Sequence, residues 1–146
     1  MQLPDTVKGI ETPKELVEAK ELRLRVFVEE QGVPAEEEID DLDSTAFHAI
    51  AIVNGSVIGT GRLLVDSPKE ARIGRMAVSL EHRRGGIGGL VLQFLEGEAK
   101  SQGIGRITLN AQRYVTSFYA NHGYKEVGEP FTEAGIPHIQ MIKNLS

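Results

Sequence analysis

The chain has 146 residues, about the length of one domain, and its 40% hydrophobic and 25% charged residues are typical of a soluble globular protein. Its formal net charge of -5 and its lack of Trp argue against nucleic-acid binding, which depends on clustered Lys and Arg and on aromatic stacking surfaces. The chain contains no cysteine, which excludes disulfides, thiolate-bound metals and an acyl-cysteine intermediate.

The N-terminal segment, residues 1–5, lacks the basic start and the following apolar stretch of a signal peptide. No part of the chain approaches the roughly 18 uninterrupted apolar residues that a membrane-spanning helix needs. We therefore expect one domain over residues 1–146, located in the cytoplasm and making no membrane contact.

Residues 7–11 are predicted to form a first strand, and a helix is predicted to follow it. Pro13 is tolerated in the first turn of a helix, and Thr12 before it is a suitable N-cap. Apolar residues then recur at spacings of three and four, as they do on one face of a helix: Leu16, Ala19, Leu22 and Val26. This helix is predicted to run to about Gln31, where Gly32 ends it.

Three antiparallel strands are predicted next. Residues 47–53 and 56–65 are apolar and rich in β-branched side chains, and Asn54-Gly55 lies between them. Both residues of an Asn-Gly pair tolerate positive φ, so this pair predicts a tight hairpin turn. A second turn is predicted over residues 66–69, followed by a strand over residues 71–79.

The apolar pattern changes period after Gly88, where a helix is predicted to run until Gly103, a suitable C-cap. The remaining predicted elements are a strand over 106–111, a short helix over 117–121, and strands over 124–127 and 138–142. This order predicts an α/β fold with a mixed, mostly antiparallel sheet of six to seven strands, flanking helices and a central parallel β-α-β crossover. Such a crossover places a ligand crevice at the strand ends.

The glycine-rich turn before the second long helix has the features of an anion site. Arg83 and Arg84 precede four glycines within residues 85–89, at the predicted start of the helix. Helix N-termini expose unpaired N–H groups and a partial positive charge, and glycines let an anion approach the backbone. Arginine adds fork-shaped donors that suit phosphate. The alternative is a helix start that only turns tightly.

Neither common nucleotide motif fits this turn. A P-loop needs Gly-Lys followed by Ser or Thr, which the chain lacks. A Rossmann fingerprint needs a third glycine where Val91 stands, and an acidic residue after the next strand, where Asn110 and Ala111 stand.

The sequence does resemble the GNAT superfamily of N-acetyltransferases. Arg83-x-x-Gly86-x-Gly88, between a strand and an apolar-faced helix, is similar to the pyrophosphate-binding motif of that superfamily. Residues 109–112 and 118–124 are similar to its second signature, a strand followed by a short helix that ends in an aromatic residue. Residues 25–31 and 135–138 resemble a bacterial subgroup of small, mostly uncharacterised GNAT proteins. The resemblance extends over nearly the whole chain.

The resemblance implies that acetyl-CoA is the cosubstrate and that no metal is needed. Its pyrophosphate would be held by Arg83 and by the loop that follows: Arg84, Gly85, Gly86, Ile87, Gly88 and Gly89. Its pantetheine arm would pair with the strand edge at Met76, Ala77 and Val78, because an exposed edge can pair with amides as it pairs with another strand. Met76 and Val78 can equally serve in core packing. Asn110 is predicted to contact CoA or the neighbouring loop, with a strand-end cap as the alternative.

Tyr119 matches the GNAT tyrosine that lies near the thioester sulfur, so the resemblance implies that it is the general acid. A phenol is protonated at neutral pH, which suits this role. The alternative is a core aromatic residue with a hydrogen-bonded hydroxyl.

The general base has five candidates. Many GNAT enzymes carry a glutamate on the strand before the glycine turn, but residues 73–76 here contain no carboxylate. Either another residue deprotonates the amine through water, or the amine arrives neutral. The candidate bases are His48, Glu29, Asp43, Glu133 and His138, although a lone histidine in an apolar strand is more often structural.

An acidic run follows the first helix, with eight carboxylates and no Lys or Arg between residues 29 and 43. The resemblance places this region on the acceptor side, and its field would attract a cationic amine. The alternative is a solvated loop that keeps the protein soluble.

Together these features predict an N-acetyltransferase that moves an acetyl group directly from acetyl-CoA to a primary amine on a small molecule or a protein. The alternative, which the missing strand glutamate keeps open, is a non-catalytic CoA-binding sensor or interaction module. A homodimer is also possible if the last predicted strand, residues 138–142, is an exposed edge.

Overall fold

A computed structural model describes residues 3–145, so Met1 and Gln2 of the N-terminal segment discussed above, and Ser146, lie outside the described residues. The strands are β1 Thr6–Gly9, β2 Phe47–Val53, β3 Ser56–Ser67, β4 Glu70–Val78, β5 Arg106–Gln112, β6 Lys125–Glu133 and β7 Ile136–Asn144. The α-helices are α1 Pro13–Arg23, α2 Ala35–Glu38, α3 Ile87–Ser101 and α4 Thr116–Ala120. A π-helical segment, Leu24–Glu30, continues α1, and 3₁₀ turns lie at Asp41–Ser44, Leu80–His82 and Arg113–Val115.

The seven strands form one sheet in the order β1-β2-β3-β4-β5-β7-β6. Neighbouring strands are antiparallel except for β4 and β5, which are parallel and joined by α3. The predicted mixed sheet with a central parallel crossover is therefore confirmed. The helix α3 buries an apolar face against one side of the sheet, through Val91, Leu92 and Leu95. The helix α1 covers the other side through Ala19 and Leu22.

Local sequence signals account for the first helix and the first hairpin. The Thr12 hydroxyl accepts a hydrogen bond from the Glu15 N–H, and the Glu15 carboxylate accepts one from the Thr12 N–H, which is a capping box. Asn54 and Gly55 both have positive φ and join β2 to β3, as predicted. The helix prediction to Gln31 holds in extent, but the geometry is π-helical from Leu24 onward.

Two predictions at the C-terminal end were wrong. The strand predicted over residues 124–127 extends to Glu133, so β6 and β7 form a long hairpin through a turn at Ala134 and Gly135. The final strand is not an exposed edge, because β7 lies between β5 and β6. Among the described residues the sheet edges are β1 and β6 instead.

The two parallel strands separate soon after they pair. Their register runs from Glu70 opposite Arg106 to Arg72 opposite Thr108, and the pairing ends there. Beyond this point β4 also contains a bulge, because Thr60 faces Ala77 while Arg62 faces Gly74. A bulge inserts one extra residue and redirects the strand. The strands therefore diverge and leave a cleft between the second half of β4 and the second half of β5.

Candidate functional site

The cleft between β4 and β5 opens into a cavity of about 950 Å³. Its walls come from β4, β5, the π-helical segment, the glycine-rich turn, α4 and the β6–β7 hairpin. A cavity of this size suits a ligand of substantial length, and its mixture of apolar walls and convergent polar groups is typical of a small-molecule site. It is the candidate functional site.

The bulge in β4 depends on Arg75, whose φ of 52° lies in the left-handed region. This conformation is strained for a residue with a side chain. The guanidinium of Arg75 is fixed on the acidic loop: it donates to the Glu37 and Glu38 carbonyls at 3.2 and 3.3 Å. It also pairs with the carboxylates of Glu38 at 3.2 Å and Asp40 at 3.1 Å. The bulge and the loop are therefore held as one unit beside the cleft.

The glycine-rich turn, which the sequence predicts to be an anion cradle, lies at one end of the cleft. Arg84 and Gly86 both have left-handed φ, 67° and 81°, so the chain coils before entering α3. Gly86 is the N-cap of α3 and supplies no side-chain hydrogen bond. The first N–H groups of this 15-residue helix are therefore available to an anion.

Arg83 occupies the space between this cradle and the π-helical segment. Its Nε donates to the Val78 carbonyl at 2.9 Å, and its Nη2 pairs with Glu30 at 2.7 Å. Arg83 and Arg84 both line the cavity. An entering phosphate would meet both guanidinium groups, and its oxygens would compete with Glu30 for Arg83.

Every predicted donor-side residue lies beside the cleft. Those that line the cavity are Met76, Ala77, Val78, Arg83, Arg84, Gly86, Ile87, Gly88, Gly89 and Asn110. Gly85 lies between two of them in the same turn. Met76 and Val78 also pack against the core on the α3 side, while Ala77 packs on the α1 side, so the packing alternative holds as well. Asn110 is exposed, with its backbone in the β5 ladder opposite Gln140.

Tyr119 lies on α4 and lines the same cavity. Its ring packs edge-on against Phe118, with 5.0 Å between ring centroids, and against Tyr124, at 5.9 Å. Burial raises its pKa to about 12, with a smaller contribution from Tyr114. Its phenol is therefore protonated at neutral pH and is available as a hydrogen-bond donor in the cleft.

The structure separates the five candidate bases. Glu133 and His138 line the cavity, whereas His48, Glu29 and Asp43 are not among its lining residues. Glu29 is exposed on the π-helical segment. His48 is buried and donates from Nε2 to the Asp43 carbonyl at 2.9 Å, and burial lowers its pKa. Its environment is that of a structural histidine.

Asp43 belongs to a buried ionic cluster. Arg23 pairs with it at 2.8 Å and with Glu38 at 2.6 Å, and Arg62 pairs with it at 2.9 Å and with Asp40 at 2.7 Å. Burial opposes ionisation of Asp43, but the hydrogen bonds from Arg23 and Arg62 outweigh it and lower its pKa. The Nε of Arg62 is buried without a hydrogen-bond partner among the described residues.

This cluster neutralises part of the acidic run. Three of its eight carboxylates, Glu38, Asp40 and Asp43, are neutralised by three arginines. Glu30 is paired with Arg83 in addition. Sequence reasoning missed the arginines because they lie 15 to 37 residues from their partners along the chain. The available signal was that isolated arginines, such as Arg62, stand inside strands that are otherwise apolar.

A hydrogen-bonded bridge that the sequence did not predict crosses the cleft. The side chain of Gln112, at the end of β5, donates to Gln31 at 2.9 Å, and Gln31 donates to the Tyr114 hydroxyl at 3.2 Å. This bridge connects the π-helical segment to β5 where β4 and β5 are no longer paired. All three residues line the cavity, so the bridge forms part of its wall.

Among residues 3–145, no group of three or more His, Cys, Asp or Glu side chains is placed to hold a metal ion. No helix in the same part is long and apolar enough to cross a membrane.

Comparison with known proteins agrees with this geometry. The family model of the acetyltransferase (GNAT) domain matches residues 9–145. An uncharacterized N-acetyltransferase of Bacillus subtilis, YjcF, is 39% identical over 132 residues, which are 90% of this chain and 94% of YjcF. The crystal structure of an acyl-CoA N-acyltransferase from Pseudomonas aeruginosa is 31% identical with a TM-score of 0.82, covering 97% of this chain and 99% of that one. An aminoglycoside 6'-N-acetyltransferase complexed with coenzyme A shares the fold at 19% identity, with a TM-score of 0.78 and 97% of each chain covered. The chain belongs to the GNAT family of acetyltransferases.

Proposed function

We propose that this protein transfers an acetyl group directly from acetyl-CoA to the nitrogen of a primary amine. The observation that carries the proposal is the cleft, which has an anion cradle at one end and the Tyr119 phenol in its wall. The absence of cysteine favours direct transfer, because no thiol can carry the acetyl group. We further propose that residues 1–146 form one cytoplasmic domain.

The donor half of the site follows from this chain's own groups. The N–H groups at the start of α3, with Arg83 and Arg84, would bind the pyrophosphate of CoA. The edge of β4 beyond Arg72 is not paired with β5, so its N–H and C=O groups can pair with the pantetheine amides. The aminoglycoside 6'-N-acetyltransferase that shares this fold was crystallised in complex with coenzyme A, which supports this arrangement by analogy.

The transfer step needs a general acid that gives a proton to the departing CoA thiolate, and Tyr119 is the proposed group. Its raised pKa keeps the proton on the phenol until the carbon–sulfur bond breaks. The N–H of Ala77 or Val78 would stabilise the oxyanion from the same strand edge.

Two measurements test the proposal. Saturating acetyl-CoA should raise the melting temperature, because a ligand at 100 times its dissociation constant stabilises the folded state by about 2.7 kcal/mol. Thiol release should then be measured with a panel of primary amines: putrescine, glucosamine and lysine methyl ester. A thermal shift without thiol release from any amine would favour the alternative, a non-catalytic CoA-binding module, which the lack of a carboxylate in residues 73–76 still supports.

The role of Tyr119 is tested by Tyr119→Phe, which keeps the packing against Phe118 and Tyr124. We expect kcat to fall by about 100-fold, the usual size of a general-acid contribution, with the acetyl-CoA thermal shift unchanged. The matched control is Tyr124→Phe, which removes a buried hydrogen bond to Glu96 outside the cavity. The control should lower the melting temperature but not kcat. Equal kcat values for wild type and Tyr119→Phe would remove Tyr119 from the acid role.

A further inference from the structure

Two titratable side chains of the β6–β7 hairpin meet in the wall of the cleft. The Nε2 of His138 lies 3.7 Å from Oε2 of Glu133, and both residues line the cavity. Neither lies on β4, where many GNAT enzymes carry their carboxylate. We propose that His138 is the general base of this acetyltransferase and that Glu133 binds the acceptor ammonium beside it; this inference rests on the proposed function.

The tautomer of His138 is determined by its backbone partner. Its Nδ1 lies 2.6 Å from the Ile136 carbonyl oxygen, which can only accept a hydrogen bond. The Nδ1 therefore carries the proton of the neutral ring, and the Nε2 lone pair is directed to the Glu133 side. This is the arrangement that a base requires, because the nitrogen nearest the carboxylate is the one that can take up a proton.

The hairpin places both groups on the same face of the sheet. Glu133 faces Ile136 in the β6–β7 register and Phe131 faces His138, so Glu133 and His138 are diagonal neighbours. The Phe131 ring is stacked on the His138 ring at 5.8 Å with an interplanar angle of 23°. His138 is only 6% exposed, so its ring is held in one orientation. Glu133 remains about half exposed and can meet an incoming cation.

The 3.7 Å separation is informative. A neutral Nε2 and a carboxylate are both acceptors, so they cannot bond directly to each other, but an ammonium group between them can donate to both. Glu133 would hold the charged amine, and Nε2 would accept one of its protons. The resulting imidazolium then has a carboxylate beside it, which stabilises its charge.

Each bond and proton in the transfer is accounted for. The ammonium gives one proton to Nε2 of His138, and the freed nitrogen lone pair forms the new bond to the thioester carbon. The carbon–sulfur bond breaks, and the departing sulfur takes the proton of Tyr119. The attacking nitrogen loses a second proton to solvent through exposed Glu133, and Tyr119 regains its proton from solvent as the imidazolium releases its own.

The test uses His138→Asn, whose amide can still donate to the Ile136 carbonyl but cannot act as a base. With the best alkylamine of the panel, kcat should fall by about 100-fold while the thermal shift with acetyl-CoA stays unchanged. With methoxyamine, which is neutral at neutral pH, the fall should be under about threefold, because no ammonium has to be deprotonated. Added imidazole should restore part of the alkylamine rate to His138→Gly.

Glu133→Gln should raise KM for the alkylamine by about tenfold and leave KM for methoxyamine unchanged, since only the first is a cation. Its control is Glu129→Gln, another exposed glutamate of β6 that does not line the cavity. The control for His138→Asn is His48→Gln, a buried histidine outside the cavity.

The outcomes separate this inference from the function on which it rests. A wild-type protein that acetylates none of the amines contradicts both. If the wild type acetylates alkylamines and His138→Asn keeps the same rate, the base assignment alone is overturned. The same follows if His138→Asn loses as much rate with methoxyamine as with the alkylamine and imidazole does not restore the rate of His138→Gly.

Discussion

The left-handed backbone conformation of Arg75 leads to an unusual prediction about stability. Arg75→Ala and Arg75→Gly remove the same guanidinium, so both lose its contacts with Glu38 and Asp40. We expect this shared loss to be about 2 kcal/mol, because the arginine side chain is 25% exposed and its partners are partly solvated. The two variants differ in two backbone terms: alanine keeps the left-handed penalty of about 1–2 kcal/mol, whereas glycine relieves it but loses more chain entropy on folding.

Arg75→Gly should therefore be more stable than Arg75→Ala by about 1 kcal/mol. This order reverses the usual one, since glycine in a strand interior is less stable than alanine by roughly 0.5–1 kcal/mol. The matched pair is Arg72→Ala and Arg72→Gly on the same strand, where φ is not positive and the Asp66 ion pair is exposed. There alanine should be the more stable variant.

Urea denaturation of the four variants gives the comparison, with equal m-values as the condition for reading differences in midpoint as differences in stability. The same order, alanine above glycine, at both positions would show that the bulge stores no strain at Arg75. A reversed sign at position 75 only is the expected result.

Two further predictions concern two neighbouring residues of β3, Gly61 and Arg62. Gly61 faces the bulge, and a Cβ there would lie 2.5 Å from Sδ of Met76 and 2.9 Å from Cδ1 of Leu95. Gly61→Ala should therefore lower the free energy of unfolding, measured by urea denaturation, by about 1–3 kcal/mol. It should also shift the β4 edge that is proposed to pair with pantetheine. Gly74→Ala meets no atom within 4 Å and should stay near wild type; equal costs would contradict the packing argument. The hydrogen bond from Arg62 lowers the pKa of Asp40 to about 2, against burial. Because the folded-state pKa is depressed, the stabilisation from ionised Asp40 is complete above the ordinary carboxyl pKa of about 4 and is lost as the pH falls through about 2. Asp40→Asn should therefore flatten the dependence of the free energy of unfolding on pH between about pH 4 and about pH 2.

Structural elements that depend on short stretches of sequence were predicted correctly. The Thr12 N-cap, the Asn54-Gly55 hairpin and the start of α3 at the glycine-rich turn each depend on a few neighbouring residues, and each forms as expected. The GNAT motifs likewise lie within single loops or short helices. Local chemistry is sufficient for such elements because their partners are close along the chain.

The second half of β6 could not be predicted for a physical reason. It contains Gly128 and Pro130, which normally indicate a loop. As an edge strand, however, it pairs on one side only, and the irregular register between Val127 and Phe131 accommodates both residues. This strand brings Glu133 beside His138. The error in the fold prediction therefore also meant that the contact between these two side chains was not predicted.

The distribution of charge around the acceptor end changes the hypothesis of a cationic acceptor. Arg23, Arg62 and Arg75 cancel three of the carboxylates of the acidic run, so that cluster contributes little net field at the cleft. Glu133 lines the same cavity from the β6–β7 hairpin, is exposed, and has His138 as its ion-pair partner among residues 3–145. Of the described carboxylates that line the cavity, Glu38 and Asp40 are paired with arginines, whereas Glu37 and Glu133 are not, so a preference for cationic amines should depend on these two glutamates. The ionic cluster would instead hold the acidic loop and the β4 bulge in place, so that the acceptor nitrogen and the thioester carbon meet in one geometry.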